Sequence, residues 1–336
     1  MKTAIFGFAG SGKTELFLAL AGPVHASQDQ AMVKVPEPRL DPLVEQFKPK
    51  KVTQSEIEYL DIPGGGSKGQ GLGARVLNAI RPHDCLLAVL DAFSGAHNPG
   101  EQWQAIETDF IVADLDVVEK KLEKMQADQR KSKNLVDEAE QKLLLQVKEA
   151  LESETPLRRI PELAEAPELR GYCFLSGKPV VYAWNVSEDG LKQQTLPEDD
   201  VGMAHIPVAA RMEKEMAELE DPEERDMFMQ DLGVNESALD RVIAKTYDLL
   251  GLITFLTAGE KEVRSWPVRK GATAPEAAGV IHSDLQKGFI RAEVLGWSDF
   301  EQVKTFKAAK EKGLLRLEGK NYIVRDGDII TFRFNV

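Results

Sequence analysis

The chain has 336 residues, carries a formal net charge of −13, and is 43% hydrophobic and 29% charged. Its length exceeds that of one ordinary domain, so two or three domains are expected. The sequence lacks a run of roughly 18 apolar residues, which excludes a predicted membrane-spanning helix, and its negative charge disfavours general affinity for DNA or other nucleic acids.

The first predicted element is a short apolar strand that ends in a glycine-rich loop. Residues 7–14 read G-F-A-G-S-G-K-T, which fits the phosphate-binding pattern G-x-x-x-x-G-K-T. In this pattern, glycines let successive backbone N–H groups surround a phosphate at the start of the next helix. A flexible glycine turn is the alternative, but the helical spacing after the loop favours a phosphate site. The predicted nucleotide contacts are Gly7, Gly10, Ser11, Gly12, Lys13 and Thr14.

Two of these side chains have specific predicted roles. Lys13 is expected to reach the β- and γ-phosphates of a nucleoside triphosphate, and the Thr14 hydroxyl is expected to bind Mg²⁺. The sequence therefore predicts a bound purine nucleotide and a magnesium ion.

Further short apolar runs alternate with segments of helical spacing. They lie at residues 3–8, 56–61, 85–91, 180–185 and 206–209. This alternation predicts an α/β fold, a parallel sheet with helices on both faces, in which ligands gather at the carboxyl ends of the strands.

A second phosphate contact is predicted where the run 56–61 ends. Asp61-Ile62-Pro63-Gly64 has the form D-x-x-G. Asp61 is expected to hold Mg²⁺ through water, and the Gly64 N–H to contact the γ-phosphate. The motif alone also fits a β-turn, but its position after a phosphate-binding loop favours the nucleotide site.

The base is predicted to bind at the end of the run 180–185. Guanine-specific proteins carry N-K-x-D at this place, whereas this chain has Asn185-Val186-Ser187-Glu188. The Asn185 amide can accept a hydrogen bond from adenine N6 and donate one to N7. An asparagine that caps the turn before Gly190 is the alternative.

Residues 105–167 are predicted to be a helical insertion. Apolar residues recur at helical spacing in two stretches, and the polar segment 126–134 is the predicted turn of an antiparallel hairpin. Helices that bury one another and an arm that docks a larger partner both fit this pattern. The two stretches are Ile111, Leu115, Val118, Leu122 and Met125, then Val136, Ala139, Leu143, Val147 and Ala150.

After Gly251 short alternating stretches surround one helical segment, 274–287. The predicted strands are 252–257, 263–268, 289–294, 321–324 and 329–334, which indicates a small β-grasp module. Residues 251–336 contain 14 Lys and Arg against 11 Asp and Glu, a net charge of +3, whereas residues 1–250 contain 28 against 44, a net of −16. Local contact with RNA and ordinary surface charge both fit this difference.

The predicted domains are a nucleotide-binding domain at 1–104 and 168–250, the hairpin at 105–167, and a β-grasp domain at 251–336. Cys85 and Cys173 lie beside apolar residues and are expected to be buried thiols, with a redox role as the alternative. The first apolar run is broken by glycines and followed by Lys13 and Glu15, unlike a secretion signal, so a cytoplasmic protein is expected.

Together these motifs resemble the YchF, or Obg-like ATPase, family of P-loop NTPases. The resemblance covers nearly the whole chain and is most specific at its C-terminal end. It implies a nucleotide-binding domain interrupted by a helical hairpin, a C-terminal TGS domain, ATP favoured over GTP, slow hydrolysis, and association with ribosomes or ribosomal RNA. It also assigns adenine contacts to Asn185, Val186 and Glu188. The motifs lie at residues 35–41, 67–73, 185–188, 255–259, 262–266, 271–275, 287–292 and 326–328.

Three departures from the family pattern bear on hydrolysis. Residues 15–52 contain no Thr, although relatives carry a Thr-containing first switch there, so the source of a second Mg²⁺ ligand is open. Gly65 takes the place where signalling GTPases carry a water-orienting Gln and this family an apolar residue. Relatives carry a His with an assigned role in hydrolysis in the loop after the next strand, and the matching position here falls near Ala92. His97 either replaces that His or is an ordinary loop residue.

The sequence thus predicts a Mg²⁺-dependent ATPase with slow intrinsic hydrolysis. Lys13, Thr14 and Gly64 are predicted to act on the transferred phosphate, and Thr14 and Asp61 to hold the metal. Two alternatives stay open. One is a nucleotide-gated module that binds ribosomes or RNA and hydrolyses ATP incidentally; the other is a GTPase with an unusual base-recognition loop.

Overall fold

The computed structural model describes residues 1–22, 29–65, 71–131, 137–192, 195–219, 221–232 and 236–335. The chain divides into two units, each with its own β-sheet. The first consists of residues 1–33 and 57–249, and the second combines residues 34–56 with the chain from 250 onward. The second unit therefore takes a segment from the N-terminal part of the chain.

The described residues contain twelve strands and thirteen α-helices. The strands are β1 (Lys2–Gly7), β2 (Gln30–Lys34), β3 (Lys51–Thr53), β4 (Glu56–Asp61), β5 (Cys85–Asp91), β6 (Val180–Asn185), β7 (Met203–Val208), β8 (Leu252–Ala258), β9 (Glu262–Arg269), β10 (Phe289–Leu295), β11 (Arg316–Glu318) and β12 (Ile329–Phe334). The helices are α1 (Lys13–Ala21), α2 (Leu40–Phe47), α3 (Ala74–Ile80), α4 (Pro99–Lys131), α5 (Glu138–Glu152), α6 (Pro161–Ala164), α7 (Ala210–Glu218), α8 (Pro222–Leu232), α9 (Ala238–Leu249), α10 (Ala274–Ile281), α11 (Ser283–Lys287), α12 (Trp297–Val303) and α13 (Phe306–Glu311). Among the described residues, no helix is both long enough and apolar enough to cross a bilayer.

The first unit is built on a six-stranded sheet in the order β2-β4-β1-β5-β6-β7. Strand β1 pairs in parallel with β4 and β5, β5 with β6, and β6 with β7. Every residue of β5 and β6 is buried, as expected for central strands of a parallel sheet. Val76 of α3 and Ile106 and Phe110 of α4 join residues of β1 and β5 in one core. The parallel sheet that the sequence predicts is therefore present.

Helix α4 is a single helix of 33 residues that serves both the sheet and the hairpin. Its first half contributes Ile106 and Phe110 to the core of the sheet, and its second half packs Val118 and Leu122 in a core shared with α5. The predicted turn over 126–134 is wrong for 126–131, which still belong to α4, and 132–134 lie outside the described residues. Polar residues such as Gln and Arg have good helix propensity, so polarity alone did not mark the end of the helix.

The hairpin helices bury one another, but the predicted seam of α5 is partly wrong. Its buried residues are Leu144, Val147, Ala150 and Leu151, whereas Ala139 is exposed. The side chain of Asp137 caps the helix by accepting hydrogen bonds from the first-turn N–H groups. That first turn lies at the surface. Val136 lies outside the described residues.

The two cysteines differ in environment. Cys85 is buried in β5, as predicted, but Cys173 is exposed. Cys173 ends a 3₁₀ helix in a left-handed conformation with a φ of 49°, so it lies in a surface turn rather than in a strand.

The second unit has a mixed six-stranded sheet in the order β11-β10-β12-β8-β9-β3. Helix α10 covers one face, where its alanines pack with Phe255. Helices α2, α12 and α13 cover the other face, with Leu40, Leu43 and Phe300 in one core. Because α2 and β3 both come from residues 34–56, this segment completes one face and one edge of the sheet.

Arg39 fastens the inserted segment to the C-terminal part of the second unit. Its guanidinium donates a hydrogen bond to Glu37 at 2.6 Å and another to Asp326 at 2.6 Å. A Cβ atom at Gly327 would lie 2.6 Å from Arg39 Nη1, so the glycine makes room for this contact. Two segments of the family resemblance, 35–41 and 326–328, therefore meet in one ion-paired network.

Three details of the C-terminal prediction are wrong. Residues 321–324 form only an isolated bridge between Thr273 and Ile323, and the edge strand is β11 instead. The segment predicted as one helix, 274–287, is interrupted at His282, whose extended backbone begins α11. Helices α12 and α13 are absent from the prediction because two turns or fewer are too short to reveal a helical period.

A buried carboxylate joins α4 to the loop before β6. Asp114 is fully buried and accepts hydrogen bonds from the N–H groups of Leu175 and Ser176 at 3.0 and 2.8 Å. It also accepts one from Arg81 Nη1 at 2.8 Å. Burial raises the pKa of Asp114, and the hydrogen-bond donors and Arg81 oppose that rise. These partners therefore stabilise the charged form of Asp114 against the effect of burial.

We expect Asp114→Asn to lower the free energy of unfolding by about 3 kcal/mol, because it leaves Arg81 without its carboxylate in a partly buried place. Urea denaturation followed by circular dichroism measures this change. Asp116→Asn, on the same helix but 58% exposed and paired with the exposed Lys120, is the matched control and should leave the midpoint nearly unchanged. Equal midpoints for the two variants would contradict the expectation.

Candidate nucleotide-binding site

The parallel sheet brings the predicted motifs to one edge. In the register of the strands, Asp61 lies beside Ile5 of β1, and Asp91 lies beside Asn185. The phosphate-binding loop leaves β1 at Gly7, so Gly7, Asp61 and Asn185 all stand at the carboxyl ends of neighbouring strands. This edge is where α/β sheets bind ligands.

The phosphate loop has a backbone that glycine makes possible. Gly10 and Gly12 have φ values of 81° and 85°, in the left-handed region. Gly12 is the N-cap residue of α1, and no side chain caps that helix. The positive end of α1 and its first N–H groups are thus left for an anion, as the motif predicts.

Two glycines of the loop also permit close contact with neighbouring strands. A Cβ atom at Gly7 would lie 2.5 Å from the carbonyl oxygen of Val89, and one at Gly12 would lie 2.1 Å from Asn185 Nδ2. Neither position can accept a side chain without displacing its neighbour.

The predicted metal ligands Thr14 and Asp61 are in direct contact. The Thr14 hydroxyl donates a hydrogen bond to Asp61 Oδ2 at 3.1 Å. Asp61 Oδ1 is buried and has no hydrogen-bond partner among the described residues. Burial raises the pKa of Asp61, and the nearby Lys13 charge opposes that rise. A buried, unpaired carboxylate oxygen beside a hydroxyl and a lysine suits a hydrated Mg²⁺ ion.

Asn185 links the phosphate loop to the end of the sheet. Its Nδ2 donates to the carbonyl oxygen of Ser11 at 2.9 Å, and its Oδ1 accepts from the N–H of Ala210, the first residue of α7, at 3.0 Å. The side chain is 6% exposed. One amide hydrogen and one lone pair remain for a base, so the contact with adenine stays a prediction.

The structure separates the other two residues of the base loop. Val186 is buried, and its N–H donates to the carbonyl oxygen of Val208 at 2.9 Å. Glu188 is exposed, and its carboxylate makes no hydrogen bond or ion pair within the described residues. Asn185 alone of the three touches the phosphate loop.

The residues after Asp61 lie against the phosphate loop. Gly64 has a φ of 94°, and a Cβ atom at Gly65 would lie 2.4 Å from the carbonyl oxygen of Gly7 and 2.9 Å from the nitrogen of Ala9. The place of the water-orienting Gln of signalling GTPases is therefore occupied by backbone packed on backbone. Residues 66–70, which carry part of the family motif at 67–73, lie outside the described residues.

Sequence reasoning missed an aromatic residue at this edge. Phe93 is 47% exposed, and its ring comes to 4.0 Å from a Cβ position built at Gly12. Asp91 holds the loop by accepting hydrogen bonds from the N–H groups of Phe93 and Ser94 at 3.3 and 3.0 Å. The signal in the sequence was Asp91-Ala92-Phe93-Ser94 at the end of a strand, where an Asp that starts a turn is common. His97, in the same loop, is half-buried.

Comparison with known proteins gives matches over the whole chain. Residues 2–147 match the family MMR_HSR1, described as 50S ribosome-binding GTPase, and residues 252–335 match YchF-GTPase_C, described as a protein of unknown function, DUF933. The Ribosome-binding ATPase YchF of Haemophilus ducreyi is 41% identical over 100% of this chain and 99% of the relative. The protein of that name from Bacillus subtilis is 40% identical over 100% of both chains.

Solved structures agree with these matches. The Schizosaccharomyces pombe YchF GTPase superposes with a TM-score of 0.87 at 30% identity, covering 99% of this chain and 97% of that one. A GTP binding protein from Pyrococcus horikoshii shares the fold, with a TM-score of 0.65 at 17% identity over 100% of both chains. These matches confirm the resemblance and the fold class inferred from the sequence, and the chain belongs to the YchF family.

Proposed function

We propose that this protein is a Mg²⁺-dependent ATPase of low intrinsic activity that associates with ribosomes. The observation that carries the proposal is the phosphate loop with an uncapped α1 beside the Thr14–Asp61 pair, in which the buried Asp61 Oδ1 has no partner among the described residues. Full-length relatives at about 40% identity are named ribosome-binding ATPases, which supports the ribosome as partner and the cytoplasm as compartment.

The residues of the loop provide charge neutralisation and positioning. The N–H groups at the start of α1 and the Lys13 ammonium would bind the β- and γ-phosphates. Thr14 and Asp61 would hold Mg²⁺, the hydroxyl directly and the carboxylate through water. The ion, when bound, neutralises the charge that develops on the phosphate oxygens. The Gly64 N–H would contact the γ-phosphate.

Slow turnover follows from the packing of Gly65. In phosphoryl transfer to water, a side chain next to the D-x-x-G glycine commonly orients the attacking water. Here that position has no side chain, and the carbonyl oxygen of Gly7 fills the space where one would begin. Water is therefore held less firmly, and the bond-breaking step is expected to be slow unless a partner supplies the missing group.

The purine is proposed to bind between Asn185 and the Phe93 ring. The free hydrogen and lone pair of the Asn185 amide can pair with adenine, and the exposed ring offers an aromatic face near the loop. Val186 places no positive charge at the base, unlike the lysine of guanine-specific loops. ATP is therefore favoured, and GTP stays a second candidate because a solved relative is called a GTPase.

Lys13→Ala is expected to weaken ATP binding about 100-fold, or roughly 2.7 kcal/mol, because it removes charge-assisted hydrogen bonds to the phosphates. Isothermal titration calorimetry measures this loss. Lys2→Ala is the matched control, since Lys2 lies at the opposite end of β1 and pairs with Glu58. Wild-type affinity in Lys13→Ala would refute the site.

Asp61→Asn is expected to raise the Mg²⁺ concentration that half-saturates hydrolysis about tenfold, because the neutral amide binds a metal-bound water less strongly than the carboxylate does. Since burial raises the pKa of Asp61, protons compete with the metal in the wild type at a higher pH than they would at an ordinary aspartate. That part of the pH dependence should be absent from Asp61→Asn. Asp84→Asn, at the amino end of β5, is the control; identical pH dependence in all three proteins would contradict the assignment.

Single-turnover hydrolysis of ATP and GTP, with and without purified ribosomes, tests the proposal against its two rivals. We expect slow ATP hydrolysis that ribosomes accelerate, and weaker use of GTP. ATP-dependent ribosome binding without faster hydrolysis would favour the nucleotide-gated module. The packing of Gly65 also supports that hypothesis. Faster turnover of GTP than ATP would favour the GTPase.

A further inference from the structure

The chain that follows Asp61 is held at two places within the first unit. The first is Gly65, whose backbone lies on the phosphate loop so closely that a Cβ atom would come within 2.4 Å of the Gly7 carbonyl oxygen. The second lies six residues further on, where Gly71 and Leu72 meet helix α4. Each of these two described places is therefore held by a neighbouring element, and residues 66–70 lie outside the described residues.

The second anchor is a carboxylate. Asp109 Oδ2 of α4 accepts a hydrogen bond from the N–H of Leu72 at 2.7 Å. A Cβ atom at Gly71 would lie 2.8 Å from both carboxylate oxygens, and the φ of Gly71 is 66°. The Leu72 side chain is 2% exposed in the same core as Ile62. Backbone and side chain at this point thus both depend on α4.

Asp109 stands on a firmly packed part of a long helix. Its neighbours Ile106 and Phe110 are fully buried in the core of the sheet, so the turn of α4 that carries the carboxylate is held in place. The same helix continues to Lys131 and packs against α5 in the hairpin. At 1.5 Å per residue, the far end of α4 lies about 33 Å from Asp109.

We propose that Asp109 is a positioning residue for ATP hydrolysis: its carboxylate fixes Gly71 and Leu72 to α4, and the Leu72 side chain in turn packs in the core that holds Ile62, two residues before Gly64. The inference rests on the proposed ATPase function. It also makes α4 the element through which the state of the nucleotide reaches the hairpin, because the same helix carries the anchor and half of the hairpin.

The first test separates positioning from folding and from nucleotide binding. Asp109→Ala should lower the single-turnover rate of ATP hydrolysis about tenfold, while calorimetric affinity for ADP stays within about twofold of the wild type. Asp109→Asn keeps an oxygen acceptor for the Leu72 N–H and should recover most of the rate. Asp116→Ala, on the exposed side of α4, should match the wild type. An unchanged rate in Asp109→Ala would overturn the proposal.

A pair of glycine variants tests the contact itself. Gly71→Ala places a methyl group against the carboxylate, whereas a Cβ atom at Gly73, whose φ of 79° is also positive, meets nothing within 4 Å. Gly71→Ala should therefore slow hydrolysis more than Gly73→Ala. Asp109→Ala combined with Gly71→Ala should add to the effect of Asp109→Ala only the backbone strain of an alanine at positive φ, since the clash is gone. Simple multiplication of the two effects would overturn the proposal.

Hydrogen exchange supplies a readout that does not depend on hydrolysis. Addition of Mg²⁺ and a non-hydrolysable ATP analogue should change amide exchange in α4 of the wild type and of Asp116→Ala. Asp109→Ala should bind the analogue without that change. An equal response in α4 of all three proteins would overturn the link. Binding of the analogue without hydrolysis by the wild type would instead count against the proposed ATPase activity.

Discussion

The close approach of backbone to the phosphate loop is the constraint on which the candidate site depends. Gly7, Gly12 and Gly65 each lie where a Cβ atom would be 2.5 Å or less from a polar atom of a neighbouring strand or loop. These three contacts hold the loop against β5, the Asn185 side chain and the residues after Asp61. The Asn185 amide then bridges the loop to α7 through the carbonyl of Ser11. A cradle for a triphosphate can be rigid before any nucleotide binds, because its walls are closely packed backbone and one buried amide that is hydrogen-bonded on both sides.

Helix α4 and the segment 34–56 each connect parts of the fold that are far apart in the sequence. Helix α4 closes the core of the sheet, anchors Leu72 through Asp109, and forms half of the hairpin. The segment 34–56 follows β2 in sequence, yet its helix and strand complete the sheet of the second unit, where Arg39 joins Glu37 to Asp326. Long-range contacts of this kind have no local signature, which is why a domain boundary read along the chain places 34–56 with the first unit.

The candidate site was largely predictable because its parts are local motifs at strand ends. Residues 7–14 and 61–64 each place glycines and a charged residue at fixed spacing within eight positions or fewer. Once the order of the strands in the parallel sheet is known, the two motifs are expected to lie side by side. Phe93 and Asp109 were not predicted because an aromatic residue after a strand and an acid on a helix are common, and only distance identifies them. The strand predicted at 321–324 failed for the opposite reason: the segment is mostly apolar, but Ile323 has one bridge partner, Thr273, instead of a ladder.

The sequence by itself determined the class of ligand, the α/β fold with its helical insertion, and the family, since each rests on residue type at fixed short spacing. The tertiary structure alone decided three things. It showed that α4 runs unbroken from the sheet into the hairpin, that Asn185 faces the phosphate loop while Glu188 stays at the surface, and that Gly65 lies on the backbone of Gly7. The physical reason is that packing and close approach depend on atoms far apart in the chain, whereas a sequence motif reflects only the local backbone and the residues next to it.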